Sequence, residues 1–473
     1  MPFDPIHRKG GQAVQERFEQ FIKNRFIRSR RLNATRLVAA SFAALILAGA
    51  LLLTLPFAAR NGESVGFFTA LFTSTSATCV TGLVLVDTWT AWSLFGQVVI
   101  LLLIQLGGLG FMTVITLISL AQRRHIGLSE RLLMVSTLNL SDLDGVVRVV
   151  RRALMGTALF EGVGALLLAV RMVPRFGLIR GIWHAVFHSV SAFCNAGFDL
   201  QGGDTGPFSS LSGFSDDPLT LLVTGGLIII GGLGFLVWDD VASHRSWKKL
   251  TLYSRLVLSL TAALVIGGTL FFFATEGENP ATLGAMPLPE RWLNALFQSV
   301  TLRTAGFNVI DQGAMKDSSL VMSCIFMLIG GSSGSTAGGI KTVTVWVLLL
   351  TLVTGLKGRE SITFRGRTLP NRRAMSAMNL FLMVLFMMLF GSMAISLADN
   401  APYLSAAFET ASALGTVGLS AGLTSGLSRF SQGLLILMMY TGRVGVLSCS
   451  IAFLIRPKDA LDIKYPKFDI LIG

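Results

Sequence analysis

"ALFTSTSATCVTGL", residues 70–83, is the stretch on which the reading of this chain turns. A short amphipathic segment runs into a polar, glycine-containing break, and long apolar runs lie on both sides. Three more versions follow: "AVFHSVSAFCNAGF" at 185–198, "ALFQSVTLRTAGF" at 295–307 and "AAFETASALGTVGL" at 406–419. The shared Phe and Gly are ten positions apart in three copies (Phe72 and Gly82, Phe187 and Gly197, Phe408 and Gly418) and nine apart in the third (Phe297 and Gly306). Matched spacing across four copies marks an internal repeat rather than four unrelated turns.

Composition says which solvent the repeats face. The chain has 473 residues, 52% of them hydrophobic and 14% charged, with runs such as 37–57 and 219–237 that reach or approach the length needed to cross a bilayer. This is the signature of a polytopic membrane protein. About 36 polar, Arg-rich residues precede the first run, which is too long for a signal h-region and is therefore expected to stay as a membrane helix. The four cysteines, Cys79, Cys194, Cys324 and Cys449, are far apart in or beside apolar segments, which supports neither a disulfide framework nor a CxxC metal site.

A net charge of +13 would suit nucleic acid, but its distribution points to a membrane instead. Thirty of the 39 Lys and Arg fall in five blocks: 1–36, 121–152, 239–255, 341–373 and the end after residue 454. The positive-inside rule makes these blocks cytoplasmic. The polar loops between them are acidic, with Asp87, Asp199, Asp204, Asp217, Glu276, Asp311 and Asp399 among their residues. Five inside blocks imply four excursions and eight spans. The expected fold is all-α, with four parallel helix, half-helix, loop and helix repeats around a pseudo-fourfold central pore. The predicted divisions are a basic cytoplasmic tail at 1–36, pore repeats at 37–121, 153–238, 255–352 and 374–456, and a cytoplasmic C-terminal tail at 457–473.

A segment of about 12 residues cannot span ~30 Å at 1.5 Å per residue, so each amphipathic stretch must enter the membrane and stop. Non-helical backbone at that depth is tolerated only when it is buried in protein or lines a water-filled cavity. Four such loops around one axis can replace the water shell of a cation with carbonyls, and glycine permits φ values that a side chain resists. The plainer alternative, four ordinary turns between short helices, does not explain the matched spacing.

These loops, "ATCVTGL", "SAFCNAGF", "TLRTAGF" and "GTVGLS", resemble those of the Trk/Ktr/HKT superfamily of potassium transporters, most closely the bacterial Ktr-type membrane subunit, and the resemblance covers essentially all of the chain after its tail. It implies a potassium-translocating subunit in the bacterial inner membrane, both termini cytoplasmic, that forms a homodimer. It also implies control by a cytoplasmic nucleotide-binding ring with RCK domains. K+ is the implied transported ion and Na+ a candidate activator, with no organic cofactor and no nucleic acid partner expected. The implied filter residues are Thr78, Cys79, Val80, Thr81 and Gly82; Cys194, Asn195, Ala196 and Gly197; Arg303, Thr304, Ala305 and Gly306; and Gly415, Thr416, Val417 and Gly418. In sodium-selective plant relatives the first of the four glycines is Ser; here it is Gly82, which argues by resemblance for potassium. Loops this dissimilar are not expected to form a fully symmetric filter.

"GGSSGSTAGGIKT", 330–342, interrupts the second span of the third repeat with residues too flexible to hold a helix, since Gly costs about 1 kcal/mol relative to Ala. It is not a phosphate loop, because Lys341 comes one position late and no strand precedes it. Small residues of this kind also let membrane helices approach closely. By resemblance the segment 330–341 is an intramembrane gating loop, with Gly334, Ser335, Thr336, Ala337, Gly338, Gly339 and Lys341 as gate residues. Arg443 falls near the middle of the last span, where a charged Arg costs roughly 2.5–3.5 kcal/mol unless it faces a cavity or a partner. The resemblance places it in the same gate. Arg303 is expected to brace its loop from behind. His184 and His188 read as packing residues, Glu161 and Glu409 as buried acids of undecided role, and the two "GGLGF" segments as close helix contacts or a bend. "RFIRSRR" from residue 25 is expected to bind anionic lipid or an acidic ring, and "KFDILIG" at the C-terminus to make a dimer contact. The competing function classes are a sodium- or proton-coupled carrier of the same fold, for which inverted repeats would be the usual mark, and a non-transport receptor or scaffold.

Overall fold

A computed structural model describes residues 36–110, 146–244, 246–359 and 361–445. The tail motifs "RFIRSRR" and "KFDILIG", Cys449 and most of the basic block 121–152 lie outside the described residues. Repeat one contains α1 (Arg36–Thr54), α2 (Phe67–Thr78) and α3 (Leu94–Leu109). Repeat two contains α4 (Val146–Phe176), α5 (Leu178–Cys194), α6 (Pro218–Leu233) and α7 (Phe235–His244). Repeat three contains α8 (Leu252–Glu276), α9 (Leu288–Thr301), α10 (Asp317–Leu328) and α11 (Thr342–Leu356). A small hairpin, β1 (Ile362–Phe364) and β2 (Arg367–Leu369), pairs antiparallel and leads to repeat four: α12 (Asn371–Asp399), α13 (Tyr403–Gly415) and α14 (Arg429–Val444).

Helix length separates the elements. Among the described residues α1, α4, α8 and α12 are long and apolar enough to cross a membrane, and α6 with α7 qualifies as a fifth span only as a pair bent by 97°. The remaining closing helices, among the described residues, are shorter. The physical reason is backbone: α3, α6 and α14 each stop at a glycine in the left-handed region, Gly110 at φ 82°, Gly234 at φ 90° and Gly445 at φ 93°. In repeat three a coil at 329–341 separates α10 from α11.

In repeats one to three the short helix docks on the opening helix of its repeat through a serine and a glycine. Ser74 Oγ donates to Ile46 O (2.7 Å), Ser189 Oγ to Glu161 O (2.7 Å) and Ser299 Oγ to Val265 O (2.9 Å). Three residues after each acceptor stands Gly49, Gly164 or Gly268, where an added Cβ would collide with that serine. The fourth repeat keeps the glycine, Gly391, but Thr410 turns its hydroxyl back to Ala406 and Ala407 of its own helix.

The repeats close on one another in order. Besides its own repeat, α3 packs on α5, α6 on α9, α10 on α13, and α14 returns to α2. The glycines of the "GGLGF" segments make close contacts, and in the second segment the chain also bends, by 97°. Gly107 lies on Thr78 O, Gly231 on Phe193 O and, in the equivalent place, Gly442 on Leu414 O, so that the C-terminal carbonyl of a short helix occupies the space of a missing side chain.

A sign prediction follows for alanine substitutions. Ala gains about 1 kcal/mol of helix propensity over Gly, whereas overpacking against fixed backbone costs about 1–3 kcal/mol. Gly107→Ala and Gly231→Ala are expected to lower the thermal midpoint of the purified protein, while Gly226→Ala, whose Cβ meets nothing within 4 Å, leaves it unchanged or raises it. Equal midpoints for all three would refute the close-contact account.

Candidate functional site

The site is assembled where α2, α5, α9 and α13 end. A hydroxyl four residues after the shared Phe holds each following loop. Ser76 Oγ accepts from Gly82 N (3.0 Å) and Ser412 Oγ from Gly418 N (3.1 Å). Ser191 Oγ donates instead to Phe198 O and Thr301 Oγ1 to Phe307 O, both at 2.7 Å. The main-chain oxygens of the same four residues accept from Thr81, Ala196, Ala305 and Val417 at 2.7–2.9 Å. The hydroxyl was visible in the sequence as Ser or Thr at a fixed offset in all four repeats, but only the folded loop shows what it binds.

The loops share a backbone path. Two positions before each glycine, Val80 (φ 57°), Asn195 (φ 60°), Thr304 (φ 63°) and Thr416 (φ 52°) adopt left-handed conformations, and Gly82, Gly197, Gly306 and Gly418 do so again at φ 68–100°. For β-branched Val80, Thr304 and Thr416 this costs of order 1–3 kcal/mol each, strain of the kind that persists where a site over-determines the backbone. The shorter third loop reaches the same path with one residue fewer.

The four glycines meet. A Cβ built on Gly82 would lie 2.5 Å from Ala196 O and 3.2 Å from Gly197 Cα, and one on Gly197 would lie 2.8 Å from Ala305 O and 2.9 Å from Gly306 Cα. Gly306 faces Val417 O, and Gly418 faces Thr81 O, in the same manner. Each glycine therefore abuts the carbonyl preceding the glycine of the next repeat, in a closed cycle. Cys79, Val80, Thr81, Cys194, Asn195, Ala196, Arg303, Thr304, Ala305, Thr416 and Val417 are all buried around it. The hydroxyls of Thr78, Thr81, Thr304 and Thr416 are buried with no hydrogen-bond partner among the described residues.

On one side of the ring opens a cavity of about 250 Å³, lined by the four glycines and by Asp199 and Asp311. Its walls are held in repeats two, three and four by the residue following the shared Phe. His188 Nδ1 lies 2.8 Å from His184 O and so carries the proton, leaving Nε2 to accept from Leu200 N (3.5 Å) and Gln201 Nε2 (3.4 Å). Gln298 and Gln312 exchange hydrogen bonds of 2.7 and 3.1 Å. The Glu409 carboxylate accepts from Ser420 Oγ (2.6 Å), Ala421 N (2.9 Å), Leu423 N (3.4 Å) and Thr424 Oγ1. Glu161 instead sits behind the second loop, accepting from Gln105 Nε2 at 3.1 Å. Arg303 points away from the ring, with Nη2 3.4 Å from Thr261 Oγ1.

The other side is crossed by the coil 329–341. Thr336 N donates to Gly231 O (3.3 Å), Thr336 Oγ1 to Phe193 O (3.1 Å), and Phe235 N to Gly334 O (3.0 Å). Ser335 Oγ and Lys341 Nζ bind the coil itself, at Ser332 O and Ala337 O (both 2.7 Å). Gly338 lies against Thr416, and Gly339 near Gly415 O. Arg443, at the end of α14, joins three repeats: Nη2 donates to Gly107 O (2.6 Å) and Gly108 O (3.2 Å), and Nη1 to Thr336 O. These bonds account for a charged residue at that depth, because each meets a helix-end or coil carbonyl.

A ring of backbone carbonyls and glycines, held by short helices inside a bundle of long apolar ones, defines an integral membrane protein of the cation-transport class. Residues 23–463 match the TrkH family of cation transport proteins. The chain is 41% identical to the potassium/sodium uptake protein NtpJ of Enterococcus hirae, over 92% of this chain and 96% of that protein. It is 37% identical to the Ktr system potassium uptake protein B of Bacillus subtilis, over 95% and 99%. The crystal structure of the potassium transporter TrkH from Vibrio parahaemolyticus shares the fold with a TM-score of 0.69 at 18% identity, over 89% of this chain and 85% of that one. The chain belongs to the TrkH family and is a transport protein, not an enzyme.

Ser412→Ala strands the partly buried Gly418 N–H, a loss of about 1 kcal/mol. It is expected to lower the thermal midpoint, and Ser412→Thr, which restores the residue type that repeat three uses at Thr301, to recover it. Equal loss in both variants would show that the hydroxyl bond does not hold the loop.

Proposed function

We propose that the protein is the potassium-conducting pore subunit of a gated uptake system. The observation that carries this reading is the closed cycle in which Gly82, Gly197, Gly306 and Gly418 each abut the carbonyl of the next repeat. Such carbonyls can replace the hydration shell of a cation. The partnerless threonine hydroxyls around the ring add oxygen ligands, and the acidic cavity beside it raises the local concentration of cations. Eight spans arranged fourfold about this axis, both termini on the basic cytoplasmic side and an inner-membrane location complete the reading. The names of the Ktr relatives support potassium as cargo and a multi-component system; a homodimer under a cytoplasmic RCK-type ring is the assembly that the family resemblance implies.

In this reading the coil 329–341 and Arg443 form the gate. The coil lies under the ring, and a fixed cation there raises the barrier to K+. The name of the Enterococcus relative, which couples potassium with sodium, favours one second reading, in which sodium is carried as well.

Flux in proteoliposomes separates these. K+ and Rb+ uptake exceeding Na+ uptake, against empty vesicles, is the expected result; Na+ uptake equal to or required for K+ uptake would move the assignment to the second reading. Arg443→Ala removes hydrogen bonds from a charged donor that are worth about 1.5–3 kcal/mol each. Flux without any partner subunit is therefore expected to rise about tenfold or more, the factor that accompanies 1.4 kcal/mol. Unchanged flux in an otherwise active preparation would remove Arg443 from the gate.

A further inference from the structure

At the cavity end of the bundle, two arginines share one tryptophan. The guanidinium carbons of Arg60, just after α1, and Arg180, in the first turn of α5, each lie 4.2 Å from the centre of the Trp89 ring. They cannot be farther apart than twice that distance. Neither is in an ion pair among the described residues, whereas the neighbouring Arg171 and Arg175 are bound by Asp217 (3.0 Å) and Asp204 (2.5 Å). The nearby carboxylate, Asp87, is already engaged by Thr90 N and Thr90 Oγ1 (both 2.9 Å) and by Phe208 N (3.2 Å). Burial first, and then the repulsion from Arg180, hold the Arg60 guanidinium below its usual range.

Uncovered apolar side chains flank the two arginines in the chain. Phe57 beside Arg60 and Leu178 beside Arg180 are exposed, and Ile179 is 87% exposed. Both arginines are exposed, so that two like charges stand over one indole at a surface that also leaves hydrocarbon uncovered. Trp and Arg together are found at the level of lipid headgroups.

We infer that Arg60 and Arg180, on either side of the seam between repeats one and two, bind the phosphate of a membrane phospholipid whose acyl chains cover Phe57, Leu178 and Ile179. A phosphate accepting N–H bonds of about 2.8 Å from each guanidinium bridges a gap of this size and neutralises the repulsion. The lipid thereby ties α5 to the segment that follows α1 at the rim of the cavity. This inference rests on the membrane reading of the fold but not on conduction, so a silent pore leaves it untouched.

The test is native mass spectrometry of the full chain, delipidated in detergent and titrated with phosphatidylglycerol. The wild-type chain is expected to retain one phosphatidylglycerol with an affinity at least about tenfold above that of the Arg60→Gln/Arg180→Gln double variant. Arg175→Gln, which breaks a pair already neutralised, keeps the lipid. Should the double variant fail to fold, Arg180→Gln alone serves, with the same expected direction. Equal retention in wild type and variant overturns the inference, as does displacement of the lipid by inorganic phosphate at equal concentration, which would make this a free-anion site. A disulfide-linked dimer formed by Ile179→Cys under oxidation would equally overturn it, because a second copy of the chain would then cover the patch.

Discussion

The structure depends on backbone meeting backbone where no side chain can stand. At four places a carbonyl oxygen rests against the α-carbon of a glycine in the neighbouring repeat, and the ring closes only because all four positions lack a Cβ. The same device recurs a layer further on, where Gly107, Gly231 and Gly442 receive the end carbonyls of the short helices. Close approach of this kind is what holds membrane helices together, since burying apolar surface out of lipid gains little.

Around that frame the repeats diverge in a controlled way. The brace at the residue after the shared Phe is an imidazole in repeat two, an amide in repeat three and a carboxylate in repeat four, and each grips the loop beyond its own glycine. In repeat one the same position is Thr73, whose hydroxyl is buried with no partner among the described residues. Each brace fits the donors its loop presents: a carboxylate, which only accepts, faces two main-chain N–H groups and two hydroxyls in repeat four. On the opposite side, one repeat gives up helix continuity altogether, and the resulting coil is held by Gly231 and Phe193 of repeat two and by Arg443 of repeat four.

Much of this was legible before folding. Four Phe-to-Gly spacings, apolar runs of bilayer length and basic blocks between them led to the class of fold, because a bilayer admits few ways to satisfy a backbone. The small-residue run at 330–342 announced its own lack of helix. Less legible were the lengths of the closing helices, since hydropathy continues through 219–237 while the backbone turns at Gly234. A hydropathy pattern does not report φ. The serine and threonine braces were hidden for another reason: a hydroxyl among apolar residues at helical spacing reads as ordinary helix until the loop folds back to it.

By itself, the sequence determined that the chain lives in a membrane, that one short motif recurs four times, and that a glycine stands at the matching place in each copy. Those are matters of composition and period, which survive without coordinates. Only the tertiary structure decided that each repeat leans on the next to close a ring, that Arg443 ends on the carbonyls of Gly107, Gly108 and Thr336, and that Arg60 and Arg180 meet at Trp89. These partners are brought together from distant parts of the chain, and contacts at such separation are set by helix packing, which no local pattern encodes.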